Sequence, residues 1–314
     1  AWARELDRPD KVMPAPQPAP RPPRAARPKG LSVTEIEHWL RDPYSIYAKH
    51  ILRLSPLDAV DAAPGAAERG TIIHAAIGEF TQAFAKNLPS DPAHELIALG
   101  RKHFAAFEDF PDAQAFWWPR FERIARWFAG WETARRPTIT AIAAEIRGEI
   151  DIPLADGTFK LRGIADRIER GADGRYVILD YKTGAMRTEK QVRTGLAPQL
   201  TLEAAMLRKG AFKEIPAGAS VAAIVYVMLK GGEPPGECKS IAFKEGTPDS
   251  HADHAWEKLS GLASRFDDES VPYRSLVHPM WTTHYGDYDH LARVKEWSST
   301  GGAGDDGGGG GGGE

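Results

Sequence analysis

The 314-residue chain contains one cysteine, Cys238. A lone thiol forms no intramolecular disulfide and no cysteine zinc cluster, so packing must hold the fold, and a reducing, cytoplasmic setting is the expectation. No apolar run is long enough to span a bilayer, and no apolar stretch near residue 1 reads as a secretory leader. No G-x-x-x-x-G-K-[ST] loop occurs, so no ATP site is expected in this stretch of chain. An excess of one charge is missing as well. The 40 Lys and Arg against 43 Asp and Glu leave a net −3. That balance advertises no nucleic-acid surface, although a local basic groove needs no net excess. No internal repeat is visible.

What is present is unevenly distributed. Residues 14–28, PAPQPAPRPPRAARP, are rich in proline and arginine and should be extended and solvated. Residues 1–29 therefore read as an interdomain linker within a longer chain. Residues 298–314 are glycine-rich and offer nothing to pack, so a disordered tail is expected there. Between them, residues 30–297 have the size of one domain.

Within that body the apolar pattern changes period. The segment LSVTEIEHWL offers Ser32 or Thr34 as helix N-cap, with Ile36, Trp39 and Leu40 at helical spacing. Asp42-Pro43 interrupts it, and a second helix is expected through Tyr44, Tyr47 and Ile51. Residues 66–87, 92–108 and 113–134 read as helices, the first with an Ile73, Ile77, Phe80, Phe84 stripe. After them, TITAIAAEIRGEIDIPL, TFKLRGIADRIER and RYVILDYKTG read as strands, the last two joined by the turn GADG. APQLTLEAAMLRKG returns to helix with a glycine stop, and SVAAIVYVML reads as a strand buried on both faces. The order predicts a mixed α/β core with a helical N-terminal half.

The stretch VILDYKTG, residues 177–184, raises a chemical question. Strand alternation turns Asp180 and Lys182 to one face of an otherwise apolar strand. Buried charges are costly without partners. A hairpin centred on Asp173 sets Asp166 directly opposite Asp180, and a one-residue shift puts them on opposite faces. In the first register, two adjacent carboxylates repel unless one is protonated or both hold a cation. Hard oxygen ligands suit Mg2+ or Mn2+, and a lysine beside them can position water or neutralise charge on a phosphoryl oxygen. Such a set serves phosphodiester hydrolysis. The plainer alternative is an ion pair at a sheet edge.

The longer pattern GIADRIERGADGRYVILDYKTG resembles motifs of the RecB-like branch of the PD-(D/E)XK nuclease superfamily, in which a G-x-x-D strand precedes a D-x-K-T-G strand. Upstream, RGTIIHAAI is similar to that branch's G-x-x-x-H helix through Gly70 and His74, and PQLTLEAAM is similar to its glutamine-bearing helix through Gln199. The flanks LSVTEIEHWLRDPYSIYAKHILRL and YGDYDHLARVKEW resemble the segments bracketing the AddB nuclease domain. The resemblance implies a restriction-endonuclease-like α/β fold, with a central mixed β-sheet flanked by helices. It implies a Mg2+- or Mn2+-dependent deoxyribonuclease of exonuclease type acting on unwound single strands. It also implies double-strand-break repair with an AddA-type helicase–nuclease subunit. Carried over by position, His74, Asp166 and Asp180 become metal ligands, and Lys182, Asp180, Asp166, His74 and Gln199 the catalytic set. Glu145 is a further candidate acid, with Glu149 on its face. A silent DNA-binding scaffold and a stand-alone nuclease of the same branch are the competing readings.

Two departures qualify the resemblance. Where family members carry Q-x-x-x-Y, position 203 is Glu203. Related proteins also bind an iron–sulfur cluster through four cysteines, whose places Asp42, Thr283, Gly286 and Ala292 roughly occupy, so no cluster is expected. His278, His284 and His290 lie nearby without metal-site spacing. Packing of Trp39, Tyr44, Tyr285, Tyr288 and Trp297 is expected to join the ends of the body instead. DNA-backbone candidates are Arg120, Arg123, Arg126, Arg187, Lys190 and Arg193. Trp117 and Trp118 are candidates for base stacking, with core packing as the alternative.

Overall fold

The structure, a computed structural model, describes residues 2, 15–57, 63–276 and 286–298. The chain divides into two compact units. The larger comprises Lys29–Glu37 and Asp58–Arg265, the smaller Ala1–Pro28, His38–Leu57 and Phe266–Glu314.

The larger unit is built on a six-stranded mixed sheet: β1 (Gly30–Ser32), β2 (Ile139–Pro153), β3 (Thr158–Gly171), β4 (Tyr176–Lys182), β5 (Val221–Leu229) and β6 (Gly236–Ser240). The order is β1-β3-β4-β5-β6, with β2 along the other edge of β3. β2–β3, β3–β4 and β5–β6 run antiparallel, while β1–β3 and β4–β5 run parallel. This is the restriction-endonuclease-like α/β arrangement that the element order and the resemblance implied. β5 is interior and paired on both edges, which accounts for its unbroken apolar sequence.

The helices, in chain order, are α1 (Val33–Arg41), α2 (Pro43–Ile46), α3 (Ala66–Ala83), α4 (Pro92–Phe104), α5 (Pro111–Arg135), α6 (Glu189–Thr194), α7 (Gln199–Arg208), α8 (Pro248–Asp267) and α9 (Val294–Trp297). Of the two expected caps, Ser32 starts α1: its Oγ accepts from the Glu35 amide at 3.2 Å, and Glu35 Oε2 accepts from the Ser32 amide at 2.9 Å. Asp91 caps α4 by accepting from the His94 amide at 3.0 Å. Helices α3, α4 and α5 cover one sheet face. Ile73, Ile77, Phe80, Phe104, Phe121 and Phe128 pack there with Leu179 and Tyr181 of β4 and Val225 and Val227 of β5. Each such burial stabilises by about 1.5–3 kcal/mol. Gly100 of α4 lets the Phe121 ring approach; a Cβ there would lie 1.9 Å from it.

One charged group lies inside this core. Arg167 of β3, fully buried, pairs with Glu132 of α5 and with Glu169 Oε1 at 2.7 Å. Arg135 and Arg136 close the network on Glu169 and Glu132. Such a network is costly to bury and costlier to break, because a lost partner leaves a buried charge alone. It pins α5 to the middle of β3, immediately beside Asp166.

In the smaller unit, residues 15–28 are only partly the solvated stretch their composition predicts. The Arg27 guanidinium is buried and donates to the carbonyls of Pro22, Phe266, Glu269 and Val271. Arg24 pairs with Asp267 at 2.6 Å, and the Tyr273 amide donates to the Pro20 carbonyl. The composition rule fails because a forked donor with five N–H groups can use several backbone acceptors at once. The expected aromatic closure is seen in part. Tyr44, Tyr47, Tyr288 and Trp297 pack with Leu276, Ala292 and Val294, while Trp39 packs on Phe266 with ring centroids 4.9 Å apart. Asp42 Oδ1 accepts from the Leu276 amide, and burial pushes its carboxyl up to about 6. Tyr285, Thr283, His278, His284 and residues 299–314 lie outside the described residues.

Candidate active site

The site forms where β3 and β4 separate. Their hairpin turns at Gly171–Gly174, with Gly174 at φ +79° and the Arg175 amide bound to Asp173. The ladder runs to Arg167↔Leu179, the register that sets Asp166 against Asp180. It ends one step short of the two aspartates. There the Asp166 carboxylate takes the place of a backbone acceptor, and its Oδ2 receives the Tyr181 amide at 2.8 Å. Farther along the same edge of β3, β1 pairs with Lys160–Arg162. Residues 163–166 therefore border an opening in the sheet between β1 and β4.

On the other edge Asp166 is again left unpaired. Ala144↔Arg167 and Ile146↔Ala165 flank it, and Glu145, the residue between, has a φ of +51°. A non-glycine residue in the left-handed region costs about 1–3 kcal/mol and persists only where its surroundings enforce it. The twist sends the Glu145 side chain onto α3 at Gly78, where a Cβ would lie 2.9 Å from Oε1. Gly70 serves a similar approach: a Cβ there would lie 2.8 Å from Thr183 Oγ1, so the glycine of G-x-x-x-H lets α3 meet the D-Y-K-T-G segment.

The side chains singled out from the sequence converge on this opening. His74 reaches over from α3, its Nδ1 3.6 Å from Asp166 Oδ2. Lys182 Nζ lies 2.9 Å from Asp180 Oδ1 and 2.8 Å from Oδ2. Gln199, the first residue of α7, donates from Nε2 to Asp180 Oδ1 at 2.7 Å and accepts from Lys182 at 3.3 Å. Its Nε2 also reaches Glu203 Oε1, one helical turn on, at 3.2 Å. Glu203 is buried at the position where relatives of the resembled branch carry tyrosine. The i, i+4 spacing from Gln199, readable in the sequence, places it on the same helix face. Glu149, by contrast, is exposed and bound to Lys160 at 3.2 Å, the ordinary surface ion pair.

Burial dominates the electrostatics. It raises the carboxyls of Asp166, Asp180 and Glu203, Asp180 to about 6, and Glu145 to about 7. Mutual repulsion adds to this: Asp166 pushes on Asp180, Glu145 and Glu203. Lys182 opposes it at Asp166, Asp180 and Glu203. Burial also keeps the His74 imidazole below its ordinary 6.5, so it is neutral and able to donate a lone pair at neutral pH.

Four acids around one ammonium leave negative charge to be compensated. Asp180 Oδ2 and Glu203 Oε2 are buried without a hydrogen bond; for Asp180 Oδ2 the lysine contact is Coulombic only. That donor set, carboxylate oxygens with an adjacent neutral imidazole, fits a hard divalent cation. Among the described residues no three His, Cys, Asp or Glu side chains stand arranged around a metal position as they are. Lys182 and Gln199 hold Asp180, and the Tyr181 amide holds Asp166.

The other candidates from the sequence are spread elsewhere. Arg120 lies over the Phe116 ring, 3.6 Å from its centroid; Arg123 donates to the Gly231 carbonyl; and Arg126 pairs with Glu122. Arg187 pairs with Glu37 at 2.6 Å. Lys190 and Arg193 lie on α6, Lys190 exposed. Trp117 is buried against Phe107, and Trp118 packs on Phe104 and Phe121 with its indole N–H on Glu122, so both serve the core. No helix among the described residues is long and apolar enough to cross a membrane.

A mixed sheet opens at two aspartates, with a lysine two residues after the second and a histidine on a covering helix, the set that the resemblance to the PD-(D/E)XK motifs implied. Comparison with known families agrees. Residues 30–278 match the model of the PD-(D/E)XK nuclease superfamily, and the chain belongs to that superfamily. Among curated proteins it is similar to an uncharacterized protein of Rickettsia bellii (strain RML369-C), 29% identical over 278 residues, covering 84% of this chain and 32% of that protein. An uncharacterized protein of Rickettsia felis (strain ATCC VR-1525 / URRWXCal2) is 34% identical over 190 residues, 59% of this chain and 22% of that one. The chain thus spans about a third or less of the length of these relatives. The solved structure titled "Crystal structure of SSO0001" matches with a TM-score of 0.32 at 11% identity, over 76% of this chain and 75% of that one, too loose a likeness to bear weight.

Proposed function

We propose that this chain is a divalent-metal-dependent deoxyribonuclease that hydrolyses phosphodiesters of unwound single strands. The observation that carries the reading is the meeting of Asp166, Asp180, Lys182, His74 and Gln199 at one opening of the sheet. Asp166 and Asp180, with His74 beside them, would hold Mg2+ or Mn2+. The ion supplies charge neutralisation at the phosphate and a more acidic water. The protein's own contribution is orientation. The Tyr181 amide fixes the Asp166 carboxylate, Gln199 fixes Asp180, and both Asp180 and Gln199 keep the Lys182 ammonium where charge on a phosphoryl oxygen can be met. Glu203 anchors the Gln199 amide from beneath.

Similarity to the AddB flanks and the absence of an ATP-binding loop support a finer reading. In it the chain is the exonuclease region of an AddAB-type helicase–nuclease in double-strand-break repair, the motor being an AddA-type subunit in the cytoplasm. The closed state of the side chains, with Lys182 spent on Asp180, favours a second reading, a nuclease-fold scaffold that only binds DNA. One experiment separates the two. The chain incubated with single-stranded DNA and Mg2+ degrades it, and Asp180→Ala abolishes the degradation; a wild type that cuts nothing supports the scaffold, and a variant that still cuts removes Asp180 from the site.

A further inference from the structure

Next to the acids, the β2–β3 ribbon carries two arginines, Arg147 and Arg162, that the proposed chemistry leaves unused. Gly148 and Gly163 are paired directly, and a Cβ on them would meet Phe212, or Val33 and Met206. Alternation turns their neighbours to the opposite face: Arg147 across from Ile164, and Glu149 across from Arg162. All four are exposed, Ile164 to 49%, a large apolar side chain left in water. Glu149 bonds Lys160, which also bonds Asp151, and among the described residues no ion pair joins Glu149 to Arg162. Among the described residues Arg147, Arg162 and Lys213 take part in no ion pair. Arg147 is two residues from Glu145, and Ile164 two from Asp166, about 7 Å along each strand. A groove of about 830 Å³ lined by Arg147, Glu149, Arg162, Ile164 and Lys213 also reaches Gln199 and Glu203 of the site.

We propose that this groove is the path by which one nucleic-acid strand enters the site, a reading that rests on the nuclease assignment. Arg147, Arg162 and Lys213 take successive phosphates, and an unstacked base lies on Ile164. The order of chemistry along the ribbon carries the inference: basic rim and apolar platform first, acids and Lys182 next. A phosphate chain is complementary to free guanidinium groups. An apolar platform between them is of use only to a strand whose bases are exposed, since a duplex keeps its bases stacked inside. The arginines on α5 and at 187 are less suited, because Arg123, Arg126 and Arg187 are already bound within the protein.

The test is binding without cleavage. Fluorescein-labelled oligodeoxythymidine is titrated with the chain in EDTA and followed by anisotropy across a salt series. Arg147→Gln/Arg162→Gln/Lys213→Gln is expected to bind about tenfold or more weakly near physiological salt. Its plot of log affinity against log salt should be shallower by about 2, or about 0.7 per lost phosphate contact. Ile164→Ser should weaken the single strand and leave a blunt duplex of the same length unchanged. Unaltered affinity and slope in a triple variant that melts like the wild type would overturn the path, and tighter binding of the duplex would overturn the single-strand claim. Asp180→Ala keeps the groove residues and, with one acid fewer and Lys182 released, should bind the strand at least as tightly as the wild type. Normal cleavage by Asp180→Ala would defeat the active-site reading and leave the groove to be judged by its own binding data.

Discussion

Replacing Asp180 by asparagine should make the metal-free protein more stable while destroying its activity. The fold holds this carboxyl at about 6 instead of the usual 3.8, first because it is buried and then because Asp166 repels it; Lys182, Gln199 and His74 only partly repay the cost. Asparagine approximates the protonated acid: it has the same shape, carries no charge and can still accept from Lys182. The difference between the charged and neutral forms is therefore the difference between the two proteins. At 1.36 kcal/mol for each tenfold change in proton affinity, the elevation to about 6 corresponds to about 3 kcal/mol.

The sign follows from linkage. An acid whose folded pKa is raised imposes no penalty below its unfolded pKa of 3.8, a growing one between 3.8 and about 6, and the full one above. In EDTA near neutral pH, Asp180→Asn should melt about 6–12 °C above the wild type, at about 2–4 °C per kcal/mol for a folded unit of about 150–250 residues, the range in which the larger unit falls. Near pH 4 the two curves should nearly coincide. A variant that is less stable at neutral pH, or one whose advantage does not change with pH, would show that Lys182 and Gln199 already satisfy Asp180. The site would then have no charge deficit for a cation to fill.

Two further outcomes follow from the same geometry. Mn2+ added at about a hundred times its dissociation constant should stabilise the wild type by about 2.7 kcal/mol, and Asp166→Ala/Asp180→Ala not at all, read as a shift of the melting curve. Glu132→Ala should destabilise the fold by about 3 kcal/mol or more by leaving Arg167 buried beside Glu169 alone, and Glu132→Ala/Arg167→Met should recover some of the loss in urea melts.

Much of the site was legible in the sequence because its residues lie at fixed spacings on regular elements. The GADG turn announced the β3–β4 hairpin but left two registers open; the structure takes the one centred on Asp173, which sets Asp166 against Asp180. Strand alternation joined Lys182 to Asp180, and the apolar stripe of α3 carried His74 to the sheet. The rest lay in departures from regularity. No periodic pattern says that β3 and β4 diverge just before the acids, or that Asp166 replaces a main-chain acceptor for Tyr181. The left-handed twist at Glu145 is equally invisible, because glutamate has no preference for that conformation. Two short strands were also missed: β1 is three residues long, and β6, GECKS, has no apolar alternation, so neither carries a periodic signal. At Arg27 composition misled, since three of the four carbonyls that bind it come from residues more than 230 positions away.

These irregularities share a cause. A continuous β2–β3–β4 ladder would bring Glu145, Asp166 and Asp180 into one row across three strands, the middle acid flanked by two others. Like charges directly opposite one another in a sheet are destabilising. The structure relieves the row at both sides of Asp166: by the twist that sends Glu145 to Gly78, and by the splay in which Asp166 turns to the Tyr181 amide. What is left between the separated strands is an acid-lined gap bordered by Gln199, Lys182 and His74. The feature that weakens the sheet thus creates the opening, and the Arg167 network next to it resists further separation, because breaking it would leave a buried charge alone.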